Sequence, residues 1–329
     1  MAMLTKDGID LNTIYYNTIV PSLEIYNEQE VQAIRETLCQ DGDETILKLQ
    51  QDYLSFERLG EIGKPGAKNL KYSKFQKDTE KFGLGLGYTY DWLISDNASA
   101  SEIDRLQANA LLADRILLFR TILDIMLQSA TDGWFNGSFN NPSENMTLPP
   151  AYLSNTFLAA HTHFYTSGAA SVVLADFTNA KQHIVEHGVT TVPGRWICFH
   201  NSVETQAIED LAGCTQANRV DNPIISSVAI EGFQFRMLGI EFVETEAVPS
   251  GYLVIVWAPT GSIWKPVRFI QKNNPSGRGL VLFPGPNAQY PIVESYYLHH
   301  LAAQILRRGG GVTIQITASA TYTSPTYKL

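Results

Sequence analysis

The sequence predicts an α+β fold, on three observations. One helical stretch of about thirty residues is uninterrupted by Gly or Pro, from a capping signal at Ser99 to the region of Ala130. From Arg195 onward short apolar runs with strand character dominate, separated by Gly and Pro. Between them, short helical and strand patterns cluster without the regular alternation of a parallel βαβ sheet, which predicts a compact mixed subdomain in the middle of the chain.

In chain order, residues 1–57 read as an arm with two short helices. Asn27 and Glu30 would cap the first, which carries Val31, Ile34 and Leu38; Ile46, Leu49, Tyr53 and Phe56 mark the second. The arm holds eleven acids against three bases (Lys6, Arg35 and Lys48). Residues 58–81 reverse the sign: Arg58, Lys64, Lys68, Lys71, Lys74, Lys77 and Lys81 face only Glu61, Asp78 and Glu80. Gly60, Gly63, Pro65 and Gly66 forbid a helix at its start, and the remainder alternates like a long hairpin. A hinged basic loop beside an acidic arm suits pairing within the chain or between neighbouring copies. Arg58, Lys64, Lys68, Lys71, Lys74 and Lys77 are therefore the inter-subunit contact candidates.

KFGLGLGYTYDWL (81–93) reads as a Gly-rich strand entering the long helix. The GLGLG run resembles a phosphate-binding loop, but such a loop needs a helix opening directly after its glycines. Here Tyr88, Thr89, Tyr90 and Trp92 continue the strand. In the long helix, Ser99 and Glu102 have capping-box spacing. Ile103, Leu106, Ala110, Ala113 and Leu117 mark one face; Leu112, Ile116, Phe119, Leu123 and Met126 mark a second. Asp104, Arg105, Asp114, Arg115, Arg120 and Asp124 are expected to keep it soluble, with Arg120 and Asp124 at pairing distance along the helix. Roughly 45 Å long and apolar on two flanks, it is a beam with material packed on both sides.

Residues 131–150 form a polar loop; 151–187 give a short helix, a strand (HTHFYTSG) and a helix ending before Gly188, a C′ residue. WICFHN, FRMLGIEFVET, GYLVIVWAP, KPVRFIQ and LVLFPG follow as strands, interrupted by a helical VETQAIEDLAG. IVESYYLHHLAAQILRRGGG fits either helix or strand, and VTIQITAS closes the chain as a strand.

The totals restrict function. Across 329 residues, 44% are hydrophobic and 17% charged, a lean charge fraction that favours burial against other subunits. The net charge of −9 argues against generic attraction to nucleic acid or an anionic membrane. The acidic segment 204–246 also argues against nucleic-acid binding through the lysine loop, although Tyr72, Phe75 and Phe82 offer stacking surfaces. Three scattered cysteines predict neither a disulfide framework nor a thiolate metal site, the N-terminus has no secretory pattern, and no apolar run reaches membrane-spanning length. A cytoplasm-like compartment is expected.

His183, Glu186 and His187 spell H-x-x-E-H, a zinc-hydrolase pattern. It falls in the last turn before Gly188, where histidines meet the negative helix end, and no downstream helix offers a third ligand. His161 and His163 share a strand face and could hold a metal with a remote carboxylate, although such a pair is more often satisfied by hydrogen bonds in a sheet; His299 and His300 point apart. No Ser or Cys occupies a nucleophile elbow. The expectation is no catalytic residue, no metal and no cofactor, with a metal-dependent hydrolase built on His183, Glu186 and His187 as the enzyme alternative.

The order of these parts resembles the major capsid proteins of tailed bacteriophages. The matching stretches are 81–93, ASEIDRLQANALLADRILLFRTIL (100–123), 161–188, RWICFHN (195–201) and 290–322. The resemblance implies a tailed-phage capsid fold: N-terminal arm 1–57, extended loop 58–90, peripheral domain with spine helix 91–166, axial domain 167–299, and a return to the peripheral domain over 300–329. It implies self-assembly into hexamers and pentamers of an icosahedral head around double-stranded DNA. The implied location is the virion, after assembly in the host cytoplasm. Scaffolding, portal and decoration proteins are further partners of the family; specific nucleic-acid recognition and a membrane are not implied. Some members lose a long N-terminal scaffolding segment; with Met1 in place and no charged coiled coil, a separate scaffold or none is expected. Others form Lys–Asn cross-links, for which no catalytic carboxylate is evident beside Lys64, Lys68, Lys71 or Lys74. An encapsulin-like bacterial nanocompartment is the alternative sharing this fold.

Overall fold

The computed structural model describes residues 5–30, 35, 37–50, 72–75, 77–89, 92, 99–129, 152, 157, 161–216, 234–261, 265–274, 277–284 and 292–326. Two sheets and one long helix organise them. The helix, Ala100–Leu127, is the spine. Its N-terminus carries the expected capping box: Ser99 Oγ accepts from the Glu102 amide, and Glu102 accepts from the Ser99 amide at 3.0 Å.

The first sheet has five strands: β1 (Cys39–Asp43), β4 (Glu80–Thr89), β11 (Val267–Gln271), β12 (Leu280–Pro284) and β13 (Ile292–Ile305). Its axis is β13, the segment whose sequence fitted either helix or strand. Residues 295–299 pair with β12 on one edge while 292–301 pair with β4 on the other, and 301–305 pair with β11. Two satisfied edges hold this segment as a strand against its helical propensity. The glycines of GLGLG lie in β4, opposite Glu294, Tyr296 and Leu298, and continue no helix.

The second sheet has seven strands in the order β5-β14-β10-β6-β9-β8-β7. These are β5 (Phe164–Thr166), β6 (Gly194–His200), β7 (Thr215–Gln216), β8 (Gln234–Met237), β9 (Ile240–Glu244), β10 (Tyr252–Pro259) and β14 (Gly311–Gln315). Its inner strands are apolar without alternation because both faces are covered. Leu253 and Ile255 of β10, Cys198, Phe242, Val312 and Ile314 pack under the helices Leu174–Val185 and Ser202–Glu209, with Phe177, Ala180, Ile184 and Ile208. Val254 and Val256, with Ile197, Phe199 and Val243, face the spine. Thus β11 and β12, from the 167–299 interval, belong to the first sheet, while β14 closes the second.

The spine crosses both sheets. From Leu118 to Leu127 it is buried on nearly every side, with Phe119 edge-on to Phe199 at 6.1 Å. Nearer its start only one flank is covered, and Leu112 of the expected second face is exposed. Its last carbonyls are capped by remote side chains: Thr313 Oγ1 donates to Met126 O at 2.6 Å, and Tyr322 Oη to Leu127 O at 2.6 Å.

The arm departs from expectation. A helical run covers Leu11–Glu30, alternating α and π turns, and the first expected cap, Asn27, does another job; of the helix it was to open, Leu38 is helical, while Val31 and Ile34 lie outside the described residues. Asn27 accepts from the Leu280 amide at 2.9 Å and donates to Leu280 O at 3.0 Å, taking the place of a strand partner at the start of β12. The second expected helix begins instead as β2 (Leu47–Gln50), antiparallel to β3 (Tyr72–Phe75). The hairpin expected over the basic loop therefore starts earlier; Tyr53, Phe56 and the polar loop 131–150 lie outside the described residues.

Asp114 does not solvate the helix. It is 5% exposed, receives Tyr26 Oη from the arm at 3.0 Å, and pairs with His299 Nδ1 of β13 at 2.8 Å. Arm, spine and sheet meet at one carboxylate.

Candidate functional site

Of the inter-subunit contact candidates, Arg58, Lys64, Lys68 and Lys71 lie outside the described residues. Lys74 stands on β3 opposite Lys48 of β2, and Lys77 follows the hairpin at a point where its charge acts on Asp124 of the spine. The base of this hairpin is anchored by residues that sequence pattern did not single out. Arg268, 3% exposed, donates to Asp43 O at 2.7 Å and Thr45 O at 2.9 Å. A Cβ at Gly42 would run into the Arg268 side chain, so the residue beside the guanidinium must lack one. Glu44 accepts from Lys272 Nζ at 2.7 Å and from Thr79 Oγ1 at 2.6 Å, and these bonds hold its carboxyl down at about 2. Both strands leave the body from a clamped root.

The two histidine patterns, separate in the sequence, meet in the fold. His161 and His163 precede β5, while His183, Glu186 and His187 lie at the end of helix Leu174–Val185, before Gly188 with φ of +69°. His187 Nε2 lies 3.0 Å from His161 Nε2 and 2.9 Å from His163 Nε2. His161 Nδ1 lies 2.5 Å from Glu186 Oε2, and His163 Nδ1 lies 2.6 Å from Gly311 O of β14. His183 stands edge-on to His161 at 5.2 Å, and its buried Nδ1 has no hydrogen-bond partner among the described residues. Phe157 stacks on the His161 ring at 4.1 Å.

His163 and His187 are fully buried, and burial drives the His163 ring well below the ordinary imidazole range. Burial lowers His161 and His183 as well, against the raising influence of Glu186. The third group that the helix lacked downstream comes from the segment upstream, just before β5, which no local spacing reveals. His299 is consumed by Asp114, while His300 has its pKa lowered by burial and then by Lys272 and Lys81.

A spine helix crossing two sheets, a long central strand, a clamped hairpin and a helical arm folded back on the body define the architecture. Comparisons with solved structures are specific. A chain from Mycobacterium phage Patience superposes with a TM-score of 0.64 at 22% identity, over 99% of this chain and 93% of that one. The capsid structure of cyanophage P-SCSP1u matches at 0.52 and 11% identity, over 86% of this chain and 88% of its own. The holo-SrpI encapsulin complex from Synechococcus elongatus PCC 7942 matches at 0.50 and 9% identity, over 91% of each. No protein-family model and no curated protein matches the chain. The fold is that of phage capsid chains, shared with an encapsulin.

Proposed function

We propose that this chain is the major capsid protein of a tailed phage, a structural subunit without enzymatic activity. It assembles as hexamers and pentamers into an icosahedral shell around double-stranded DNA, in the host cytoplasm. The observation that carries this reading is that the match to a phage chain extends over the whole length, arm and hairpin included. The surface supports it. Tyr16 and Ile25 of the arm, Leu112 of the spine, and Phe283 and Tyr296 of the first sheet are exposed at 42–68%, apolar area suited to neighbouring copies. Among the described residues no helix is long and apolar enough to cross a membrane.

The division into domains follows the sheets. The first sheet, with arm and spine, forms the peripheral half; the second sheet and its two helices form the axial half. The basic hairpin, with Lys74 and Lys77 at its root, reaches a neighbouring subunit. Scaffolding, portal and decoration proteins are the further partners of such a shell. The phage reading is favoured over a nanocompartment by the higher TM-score and identity of the phage match.

Light-scattering chromatography of the purified chain, followed by electron microscopy, tests the proposal. Hollow shells, or rings of five and six, are expected. A monomer or dimer that persists at high concentration and with a co-expressed scaffold overturns it. Shells that enclose a dedicated enzyme cargo instead of DNA replace it with the nanocompartment.

A further inference from the structure

We propose that the chain binds one divalent transition-metal ion of the zinc class on the Nε2 atoms of His161, His163 and His187. The ion acts as a structural clasp, and the site stands independently of the shell reading.

The first argument is a hydrogen count. His163 Nδ1 faces the carbonyl of Gly311, which only accepts, so its hydrogen sits there and its Nε2 presents a lone pair. His161 Nδ1 faces the Glu186 carboxylate, which likewise only accepts, so its hydrogen sits on Nδ1 and Nε2 presents a lone pair. Both lone pairs point at His187 Nε2, at 3.0 and 2.9 Å, and that atom carries at most one hydrogen. The three Nε2 atoms thus converge with at most one N–H among them. A cation bound by all three lone pairs satisfies them together.

The second argument is geometry. Zinc–imidazole bonds of about 2.0–2.1 Å in a tetrahedron place nitrogen atoms about 3.4 Å apart. The three donor atoms lie within 4.8 Å of one another, and the two short separations need to open by only a few tenths of an ångström. The distal nitrogens already hold the partners that orient metal-bound histidines, a carboxylate on one ring and a backbone carbonyl on another. An all-imidazole set favours zinc, copper or nickel over magnesium or calcium.

The site is enclosed. His163 and His187 have no exposed surface, Phe157 covers His161, and a Cβ at Gly309 would sit 2.6 Å from Cγ of His187. An enclosed ion suits a clasp rather than turnover of a substrate. It would tie the segment before β5 to the end of helix Leu174–Val185, beside β14, joining parts of the chain 24 and 26 residues apart. His183 belongs to a second grouping with His161 and Glu186 and is not one of the three ligands.

The test uses the full chain without a histidine tag. Zinc is added, excess is removed by gel filtration, and retained metal is measured by mass spectrometry alongside thermal unfolding. The expected result is about one zinc per chain and a higher Tm than in chelator-treated protein. His163→Gln and His187→Gln should each lose the retained zinc and the zinc-dependent rise in Tm, while His183→Gln keeps both. Because a ligand variant can fail to fold, X-ray absorption on the zinc-loaded native chain provides a second readout, with imidazole scattering expected. Absence of retained zinc in the native chain, an oxygen-only coordination shell, or full retention in His163→Gln overturns the proposal.

Discussion

Asp114 shows how one buried group holds three parts of the chain. Its carboxylate receives Tyr26 from the arm and His299 from β13, and all three residues are almost completely enclosed. Removing the acceptor takes a buried bond from the Tyr26 hydroxyl and the buried charge from beside the His299 imidazole. Asp114→Ala is expected to lower stability by about 3 kcal/mol or more, read from denaturant unfolding of the purified chain. A loss below about 1 kcal/mol would mean that solvent reaches the site and the knot is weak. A charged residue among apolar ones on a long helix reads from sequence as a solubilising group. Its role depends on two partners 88 and 185 residues away, and nothing near position 114 encodes them. The histidine cluster was hidden in the same manner: both of its motifs were visible, but their meeting was not.

At the scale of elements, local signals were legible wherever the chain's own neighbours decide the outcome. Ser99 and Glu102 marked the start of the spine, and Ser99→Ala should cost about 1 kcal/mol in the same unfolding measurement, with Glu102→Ala adding little once the cap is gone. Gly188, in the left-handed region, marked a helix end in the same way. Signals failed where tertiary pairing overrides them: β13 is a strand because three others pair with it, and Ile46–Leu49 leads into a strand because β3 lies opposite. The hairpin root gives a sharper test. Glu44 titrates near 2 in the fold against an ordinary 4.5, chiefly through Lys272 and then Thr79. A folded value below the unfolded one means the contribution is present above pH 4.5 and is lost as the pH falls toward 2. Lys272→Met should therefore loosen the hairpin root near neutral pH, seen as faster proteolysis within 51–71. The difference from the native chain should shrink as the pH drops below 4.5, followed with an acid-active protease. A difference that stays constant down to about pH 3 would assign the effect to packing of the lysine stem.

At the scale of the whole molecule, a shell subunit must divide its residues between holding itself together and reaching outward. The spine and two sheets account for the two large buried clusters, and the arm adds a third around Ile14, Tyr15, Ile19 and Ile103. The hairpin's strands, β2 and β3, pair with each other and with neither sheet, among the described residues. Its strands nevertheless leave from a root fixed by Arg268, Glu44 and Lys272, as a lever that transmits force would require. A closed shell multiplies modest contacts because each subunit repeats them with every neighbour, so losing one contact type is felt at every interface. Replacing residues 51–71 with a short Gly-Ser turn between β2 and β3 should accordingly leave the protomer folded, with its circular dichroism and Tm near native. Assembly should be lost, with only protomers or open rings in the electron microscope. Intact shells from that variant would show that arm and spine surfaces alone close the lattice. A collapse in Tm would place the hairpin inside the fold's own core and overturn its role as an outward contact.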